Sequence, residues 1–401
     1  MDTTVTKIGA VVVAELRSAG YMNSTIGNYQ KTIKRLADFV EERGGFYTLS
    51  LGAEFASMTT SPRTGHFSAQ RRFDFGRIVG VFDSYVQSGH VDVSMRTRGG
   101  GGRQPATSEF SRLIAAWDAD MADRALALAT RSAYGRISRS FLVFLEDRGV
   151  VSLERADAAS ILEFLESLLD RWAKSSLFWV VSNFRPFLTF INRGDLIDAV
   201  NLTGVKRSHR ILPVLSDHDQ ELLVQACMSK IVSARDSAIT LLALTTGLRA
   251  CDIVALRLID INWRERTIGI IQQKTHNPLT LPLTVMVTSK LGAYILDERP
   301  DSNDDHVFLR CVAPHTKLSD HSSIYRVTKE TFRKAGVTDI KAGTSFLRHN
   351  AASRLLRAYV PLATISAVLG HANPESTNLY MSVDDDHLRE CVLPVPTGAR
   401  S

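Results

Sequence analysis

The chain has 401 residues, enough for two or three domains with their own cores, and its formal charge of +6 suits a polyanionic partner without requiring one. No apolar run reaches the ~20 residues of a membrane span and no signal-peptide pattern opens the chain, so we expect neither a membrane protein nor a secreted one. The four cysteines contain no C-x-x-C pair and predict reduced core thiols in a cytosolic protein, which argues against a disulfide framework.

The part of the chain before residue 205 contains an internal repeat with a constant offset. Tyr29 corresponds to Tyr134 (134 − 29 = 105). The same offset relates further pairs, namely Thr25 and Thr130, Phe39 and Phe144, Arg43-Gly44 and Arg148-Gly149, Phe82 and Phe187, Tyr85 and Phe190, and Gly89 and Gly194. Apolar residues recur at helical spacing in both copies, so each copy is predicted to be a bundle of about four helices.

Two basic linkers divide the sequence. The first, at 96–105, contains four consecutive glycines flanked by arginines, which cannot hold a helix and predict a flexible tether. The second, at 205–212, is short and contains the cations Lys206, Arg207 and Arg210. The predicted domains are therefore 1–95, 106–204 and 213–401.

The segment after residue 213 predicts a mainly helical domain with one small antiparallel sheet. The predicted helices cover Asp217–Ser229, Ala234–Thr246, Gly343–Ala358 and Leu362–Leu369, and another begins at Asn373-Pro374. Short strands are predicted near Ile261, over Thr267–Ile271 and over Leu279–Leu283, with a turn at His276–Pro278. Lys274 therefore lies on or beside a hairpin.

Within this last domain, a set of side chains has the chemistry that breaking a phosphodiester without a metal requires. The set consists of Arg249, Lys274, Arg348, His371 and Tyr380. Arginines neutralise the non-bridging phosphate oxygens, each with a bidentate fork. A tyrosine attacks phosphorus and becomes covalently attached, and a lysine protonates the leaving oxygen.

The motifs around these residues resemble those of the tyrosine recombinases, or phage integrase family. They are Thr246–Asp252, Phe346–His349, and Leu369–His371, which Tyr380 follows nine residues later. The resemblance covers the chain closely from about Ile211 to the end and the middle of the chain more loosely. The segment after Tyr380 is similar to that of transposon- and integron-associated members.

The resemblance implies the recombinase catalytic fold, shared with type IB topoisomerases, preceded here by two repeated helical bundles of the SAM-like, DNA-binding type. It also implies a role for each catalytic residue. Arg249 and Arg348 bind the scissile phosphate, His371 hydrogen-bonds to it, and Lys274 protonates the departing 5′ oxygen. Tyr380 is the nucleophile and forms a 3′-phosphotyrosyl link, which conserves bond energy, so that neither a metal nor another cofactor is needed.

Three residues beside the catalytic set qualify this interpretation. Asp252 is expected to orient Arg249, and His349 to pack inward. Ser345 stands where the family usually has a histidine or lysine, and a serine cannot relay a proton near neutral pH. Either the remaining groups carry catalysis at a slower rate, or the protein is a weakened accessory partner of related recombinases.

The resemblance also implies how the chain binds DNA. The second bundle corresponds to the family's core-binding domain, which makes Arg131, Arg136 and Arg139 candidate phosphate contacts, although the polar face of a helix is often only solvated. The cations of the 205–212 linker are interpreted as a strap across the DNA backbone, and the alternative is an ordinary solvated connection. The first bundle is an extra domain for flanking DNA or for assembly.

The function implied is site-specific recombination or integration in the cytoplasm, at the nucleoid, with double-stranded DNA as partner. Dimers on a site and tetramers in synapsis would form through the C-terminal tail. The same residues would serve a topoisomerase, but the tail after Tyr380 argues against a monomeric enzyme of that kind.

Overall fold

The computed structural model describes residues 4–92, 103–170, 172–205, 214–338 and 343–370. Most of the first linker, almost all of the second linker and the segment from His371 onward lie outside these ranges. Met1–Arg96 and Ile211–Ser401 form one compact unit, and Thr97–Arg210 forms another. None of the helices in the described ranges has the length and apolar content needed to cross a bilayer.

The first bundle contains α1 (Val5–Ser18), α2 (Asn23–Glu41), α3 (Leu49–Ser57) and α4 (Ala69–Ser88). Its core is built from the apolar stripes of these helices, with Leu16, Leu36 and Phe82 fully buried. The hydroxyls of Thr48 and Ser68 accept hydrogen bonds from backbone N–H groups in the first turns of α3 and α4, and so fix where these helices begin.

The second bundle contains α5 (Ser108–Asp123), α6 (Leu128–Asp147), α7 (Ala158–Leu169), α8 (Leu177–Phe190) and α9 (Gly194–Leu202). Trp117 is fully buried, with its ring 6.0 Å from that of Phe187 and 4.9 Å from that of Phe190. This aromatic core is separate from that of the first bundle. The helix α9, which packs against α7, makes this bundle larger than the four helices predicted.

Equivalent positions of the two bundles have similar local geometry. The helices α2 and α6 begin at Asn23 and Leu128, which are 105 residues apart. The corner before each of them contains a residue with positive φ, Gly20 at 75° and Ala125 at 52°. At the other end of each helix an arginine stacks on a phenylalanine four residues earlier, with Arg43 3.8 Å above Phe39 and Arg148 3.6 Å above Phe144.

The C-terminal domain contains α10 (Asp217–Met228), α11 (Ala234–Thr246), α12 (Ala250–Ala255), β1 (Ile261–Asn262), β2 (Thr267–Ile271), β3 (Pro278–Pro282), α13 (Val285–Ala293), α14 (His321–Lys334), α15 (Thr344–Arg357) and α16 (Leu362–Leu369). The central helix is α11, which is buried on all sides from Ser237 to Leu244 and packs against α13, α14 and α15. The strands form an antiparallel sheet in the order β1-β2-β3, with Ile268 opposite Leu281.

The predicted fold class, mainly α with a small antiparallel sheet, is confirmed. The helices α11 and α16 and the strand β2 have the predicted bounds, and β3 begins and ends one residue earlier than predicted. The expectation that the cysteines are core thiols was wrong for Cys311, which is exposed because it lies in an irregular segment before α14. Cys227 is buried and Cys251 is half-buried.

Candidate active site

The C-terminal domain contains a cavity of about 520 Å³ that brings most of the predicted catalytic residues together. Among the residues that the structure describes, its lining includes Arg249, Ala250, Cys251, Lys274, His321, Thr344, Ser345, Arg348 and His349. These residues come from four places in the chain: the start of α12, the hairpin turn, the start of α14 and the first two turns of α15. The sequence motifs predicted the proximity of all of these segments except α14.

Arg249 is the N-cap residue of α12 and follows the left-handed Gly247 (φ 65°), which ends α11. Its Nη2 donates a hydrogen bond to the carbonyl oxygen of Gly370 at 3.1 Å. Its Nη1 is buried and has no hydrogen-bond acceptor among the described residues. A buried guanidinium N–H without an acceptor is costly, so an anion bound next to Arg249 would gain a charge-assisted hydrogen bond if it reached this atom.

Arg348 lies on α15 with 7% of its surface exposed, and its guanidinium joins three segments of the domain. Nη1 donates to the carbonyl oxygen of Gly247 at 2.9 Å, and Nη2 donates to that of Leu369 at 2.7 Å. The ends of α11 and α16 are thereby held against α15. Because two backbone acceptors fix the planar fork, its orientation is set before any ligand enters.

Lys274 lies in the turn between β2 and β3 and is exposed, as the hairpin prediction required. The turn is closed by backbone bonds between Gln272 and Asn277 and between His276 and Gln272. Asp252, on α12, also holds the turn, since its Oδ1 accepts the N–H of Gln273 at 2.8 Å. The turn that contains Lys274 is therefore attached to α12, the helix whose N-cap residue is Arg249.

The expectation that Asp252 orients Arg249 was wrong. Its side chain is 2% exposed and points to the hairpin, and no ion pair joins it to Arg249 within the described ranges. The reason is geometric: Asp252 lies in the first turn of α12, which packs beside the hairpin, and its Oδ1 there accepts the N–H of Gln273. Its Oδ2 is buried and has no hydrogen-bond donor among the described residues.

Gln272 connects the hairpin to the end of α16 and was not identified from the sequence. Its side chain is fully buried, and its Nε2 donates to the carbonyl oxygen of Leu369 at 3.1 Å. Its Oε1 accepts the hydroxyl of Thr275 at 2.7 Å. A Cβ on Gly370 would come within 2.0 Å of that oxygen. Because Gly370 has no Cβ, the side chain of Gln272 can reach the carbonyl oxygen of Leu369, two residues before His371.

Ser345 and His349 lie on successive turns of α15. Ser345 is exposed to the cavity and contributes no charge. His349 is half-buried, and burial, together with the positive charge of Arg348, lowers its pKa. The neutral imidazole is therefore favoured at this position, in agreement with the expectation that His349 packs inward.

His321 also lines the cavity and was missed in the sequence. It is the first residue of α14 and is exposed. No motif marks it, because its place in the cavity results from the packing of α14 against α11, α12 and α15. A pattern of an aspartate N-cap followed by histidine, as in Asp320-His321, occurs at the start of many helices for reasons of capping alone.

The candidate phosphate-binding residues of the second bundle differ in their availability. Arg136 is exposed. Arg131 forms an ion pair with Asp118 at 3.0 Å, and its Nε is buried without a hydrogen-bond acceptor among the described residues. Arg139 is half-buried, and burial lowers its pKa, with the charge of Arg136 acting in the same direction. Of the three, Arg136 is the most accessible to a phosphate.

The remaining predicted site residues lie outside the described ranges. They are His371, Tyr380, Lys206, Arg207 and Arg210. Elsewhere in the C-terminal domain, Asp304, Asp305 and His306 form a group with the spacing of metal ligands. Asp304 already accepts hydrogen bonds from the N–H groups of His306 and Lys317, so this carboxylate organises its own loop.

Comparison with known proteins shows similarity to integrases and recombinases. The model of the phage integrase family matches residues 213–387. The putative integrase/recombinase y4gC of Sinorhizobium fredii is 35% identical over 189 residues, which are 46% of this chain and 97% of that relative. Another from the same organism, y4rA, is 28% identical over 305 residues, or 73% of each chain.

The similarity extends to solved structures. A lambda integrase tetramer bound to a Holliday junction matches with a TM-score of 0.51 and 17% identity, covering 80% of this chain and 90% of the integrase chain. At this identity the likeness is one of fold. It extends over more of the chain than the family model does.

The contact between Gly370 and Gln272 leads to a prediction about stability. Gly336 and Gly370 both have positive φ, 79° and 62°, but a Cβ on Gly336 would meet no atom within 4 Å. Gly336→Ala should therefore lower the free energy of unfolding by about 1–2 kcal/mol, the cost of the left-handed conformation alone. Gly370→Ala should lower it by about 1–3 kcal/mol more, because the buried Gln272 amide loses its partners. Urea unfolding of the full chain measures both, and equal losses would contradict this account of Gln272.

Proposed function

Because the chain belongs to the phage integrase family of tyrosine recombinases, we propose that it cleaves and rejoins DNA strands at specific sites through Tyr380 and the cavity of its C-terminal domain. The observation that carries the assignment of the cavity is the pair of arginines. Arg348 is held by two backbone carbonyls, and Arg249 lines the same cavity with its guanidinium held by the carbonyl oxygen of Gly370. Two fixed guanidinium groups match the two non-bridging oxygens of a phosphodiester.

In the proposed cleavage step, the phenolic oxygen of Tyr380 attacks phosphorus. The bond from phosphorus to the 5′ oxygen breaks as the new bond from phosphorus to the tyrosine oxygen forms. Arg249, Arg348 and His371 stabilise the charge that accumulates on the non-bridging oxygens. Lys274, which the hairpin presents to the cavity, gives a proton to the departing 5′ oxygen.

Rejoining is the reverse of cleavage with a different strand. A 5′ hydroxyl attacks the 3′-phosphotyrosyl bond, and Tyr380 leaves with its proton restored. The number of phosphoester bonds is unchanged, so the reaction needs no external energy source. Exchange of one pair of strands produces a Holliday junction, and exchange of the second pair resolves it.

The helical bundles are proposed to hold the DNA. The second bundle would contact the core site through Arg136 and, with more rearrangement, through Arg131 and Arg139. The cations of the 205–212 linker would cross the backbone between this bundle and the catalytic domain. The chain would act as a dimer on a site and a tetramer in synapsis, joined through the tail after Tyr380, on the DNA of the nucleoid.

The accessory-protein alternative rests on Ser345 alone. Against it, the cavity retains both arginines, the lysine and the supports that position them, including Asp252 and Gln272. Lys274 and the contacts that hold its hairpin serve proton donation to a leaving oxygen, which DNA binding alone does not require. The arrangement therefore favours an active enzyme.

The proposal predicts a covalent complex that forms without metal. The substrate is a library of nicked duplexes with randomised sequence around the nick, from which duplexes that stay attached to the protein after denaturation in EDTA are recovered and amplified. The wild-type chain should enrich a defined sequence, here named the selected duplex. Tyr380→Phe should abolish attachment, since it lacks the nucleophilic oxygen.

Tyr359→Phe is the matched control, because Tyr359 is 70% exposed in the same domain and should be dispensable. Attachment that persists in Tyr380→Phe would show that another residue is the nucleophile. Attachment that disappears on chelation would show that the chemistry depends on a metal.

A second prediction concerns the division of DNA contacts between the bundles. In the full chain, Arg136→Gln should weaken binding to the selected duplex and reduce the slope of log affinity against log salt by about 1, the effect of one lost phosphate contact. Arg112→Gln removes the same charge from an exposed position of the same bundle and should leave the slope unchanged. Equal effects of the two changes would mean that Arg136 contributes only to net charge.

Lys31 in the first bundle occupies the position equivalent to Arg136, at the same offset, and is also exposed. Lys31→Gln should shorten the footprint at its outer side without weakening the core. An unchanged footprint would assign the first bundle to assembly.

A further inference from the structure

The cavity must accept a proton as well as donate one, because a tyrosine hydroxyl is protonated near neutral pH. Most groups in its lining cannot do this. Arg249 and Arg348 carry no acceptor, and Lys274 must be protonated to act on the leaving oxygen. The hydroxyl of Ser345 does not take up a proton in this pH range. With His371 assigned to the phosphate oxygens, the candidates among the described lining residues are the thiol of Cys251 and the imidazoles of His321 and His349.

Two of these three groups are poorly suited. Burial, and then the charge of Asp252, raise the pKa of Cys251, so its thiol is protonated and has no free thiolate to accept a proton. Burial, and then the charge of Arg348, lower the pKa of His349, so its protonated form is disfavoured. Neither group can receive the tyrosine proton easily.

His321 is placed differently. It is exposed where it lines the cavity, so its ring is accessible to a ligand and to water. Its ring forms no hydrogen bond with any of the described residues, so both ring nitrogens are open to a ligand. Beside it lies the carboxylate of Asp320, the N-cap residue of α14. Hydrogen bonds from Ser322 lower the pKa of Asp320 and keep it ionised.

We propose that His321 is the proton acceptor of the cleavage step, in the role that Ser345 cannot fill. The inference rests on the proposed recombinase function. As the tyrosine oxygen of Tyr380 bonds to phosphorus, its proton passes to a ring nitrogen of His321. As the bond to the 5′ oxygen breaks, a proton passes from Lys274 to that oxygen. The complex then contains an imidazolium and a neutral amine, and both protons return on rejoining.

The test measures the rate of covalent attachment of the full chain to the selected duplex in a single turnover. His321→Ala should slow attachment by about 100-fold, within the usual contribution of a general base, while affinity for the duplex is unchanged. His218→Ala is the matched control. His218 is an exposed histidine at the start of α10 that does not line the cavity, and its loss should leave the rate unaltered.

Two rescue experiments separate proton transfer from a structural role. Free imidazole should restore part of the rate of His321→Ala. Adding Ser345→His to His321→Ala should also restore rate, because position 345 lines the same cavity. A loss of rate that neither treatment reverses would overturn the assignment of His321 as proton acceptor.

A substrate with a different leaving group distinguishes the uptake of the Tyr380 proton from the donation of a proton to the 5′ oxygen. With sulfur in place of the bridging 5′ oxygen, the leaving thiolate needs no proton. This substrate should largely relieve the defect of Lys274→Ala and leave that of His321→Ala in place. If the sulfur substrate relieved both defects to the same extent, His321 would act in the protonation of the leaving oxygen, and the proposal would be overturned.

Covalent attachment by the wild-type chain and by His321→Ala distinguishes a failure of the recombinase function from a failure of the role of His321. If wild type forms no covalent complex with any duplex of the library, the recombinase function is overturned and the inference with it. If wild type attaches to DNA and His321→Ala attaches at the same rate, the inference alone is overturned.

Discussion

The buried guanidinium of Arg348 is the interaction on which the C-terminal domain depends. A charge that is 7% exposed is costly unless its donors are satisfied, and here backbone carbonyls at the ends of two other helices accept two of them. Those carbonyls belong to Gly247, which precedes Arg249 by two residues, and to Leu369, which precedes His371 by two. One side chain therefore fixes the starting points of two catalytic segments.

A second set of contacts connects the hairpin to the same framework. Asp252 holds the turn that contains Lys274, and Gln272 reaches from the hairpin to the end of α16. Lys274, the proposed general acid, is thereby placed relative to both arginines by side chains that have no proposed contact with substrate. Precise positioning of this kind matters because catalysis by charge stabilisation depends on groups that need not reorganise during the reaction.

The sequence predicted the parts of the site that have local causes. The bounds of α11 and α16 follow from apolar periodicity that stops at a glycine, and both glycines have the left-handed conformation expected at such ends. The strand β2 follows from a short run of β-branched residues. By contrast, three features of the site depend on tertiary packing. They are the hydrogen bond from the N–H of Gln273 to Asp252, the hydrogen bond from Gln272 to the carbonyl of Leu369, and the place of His321 in the cavity. No spacing in the chain encodes which donor will lie nearest to a buried carboxylate.

The central claim is that this framework directs a tyrosine oxygen at a DNA phosphate. The most direct measurement is to identify the amino acid that carries DNA, by digesting the denatured complex with nuclease and protease and sequencing the modified peptide by mass spectrometry. The account predicts a nucleotide joined through its 3′ phosphate to Tyr380. A nucleotide on Tyr359 or on any other residue, or a 5′ linkage, would contradict it.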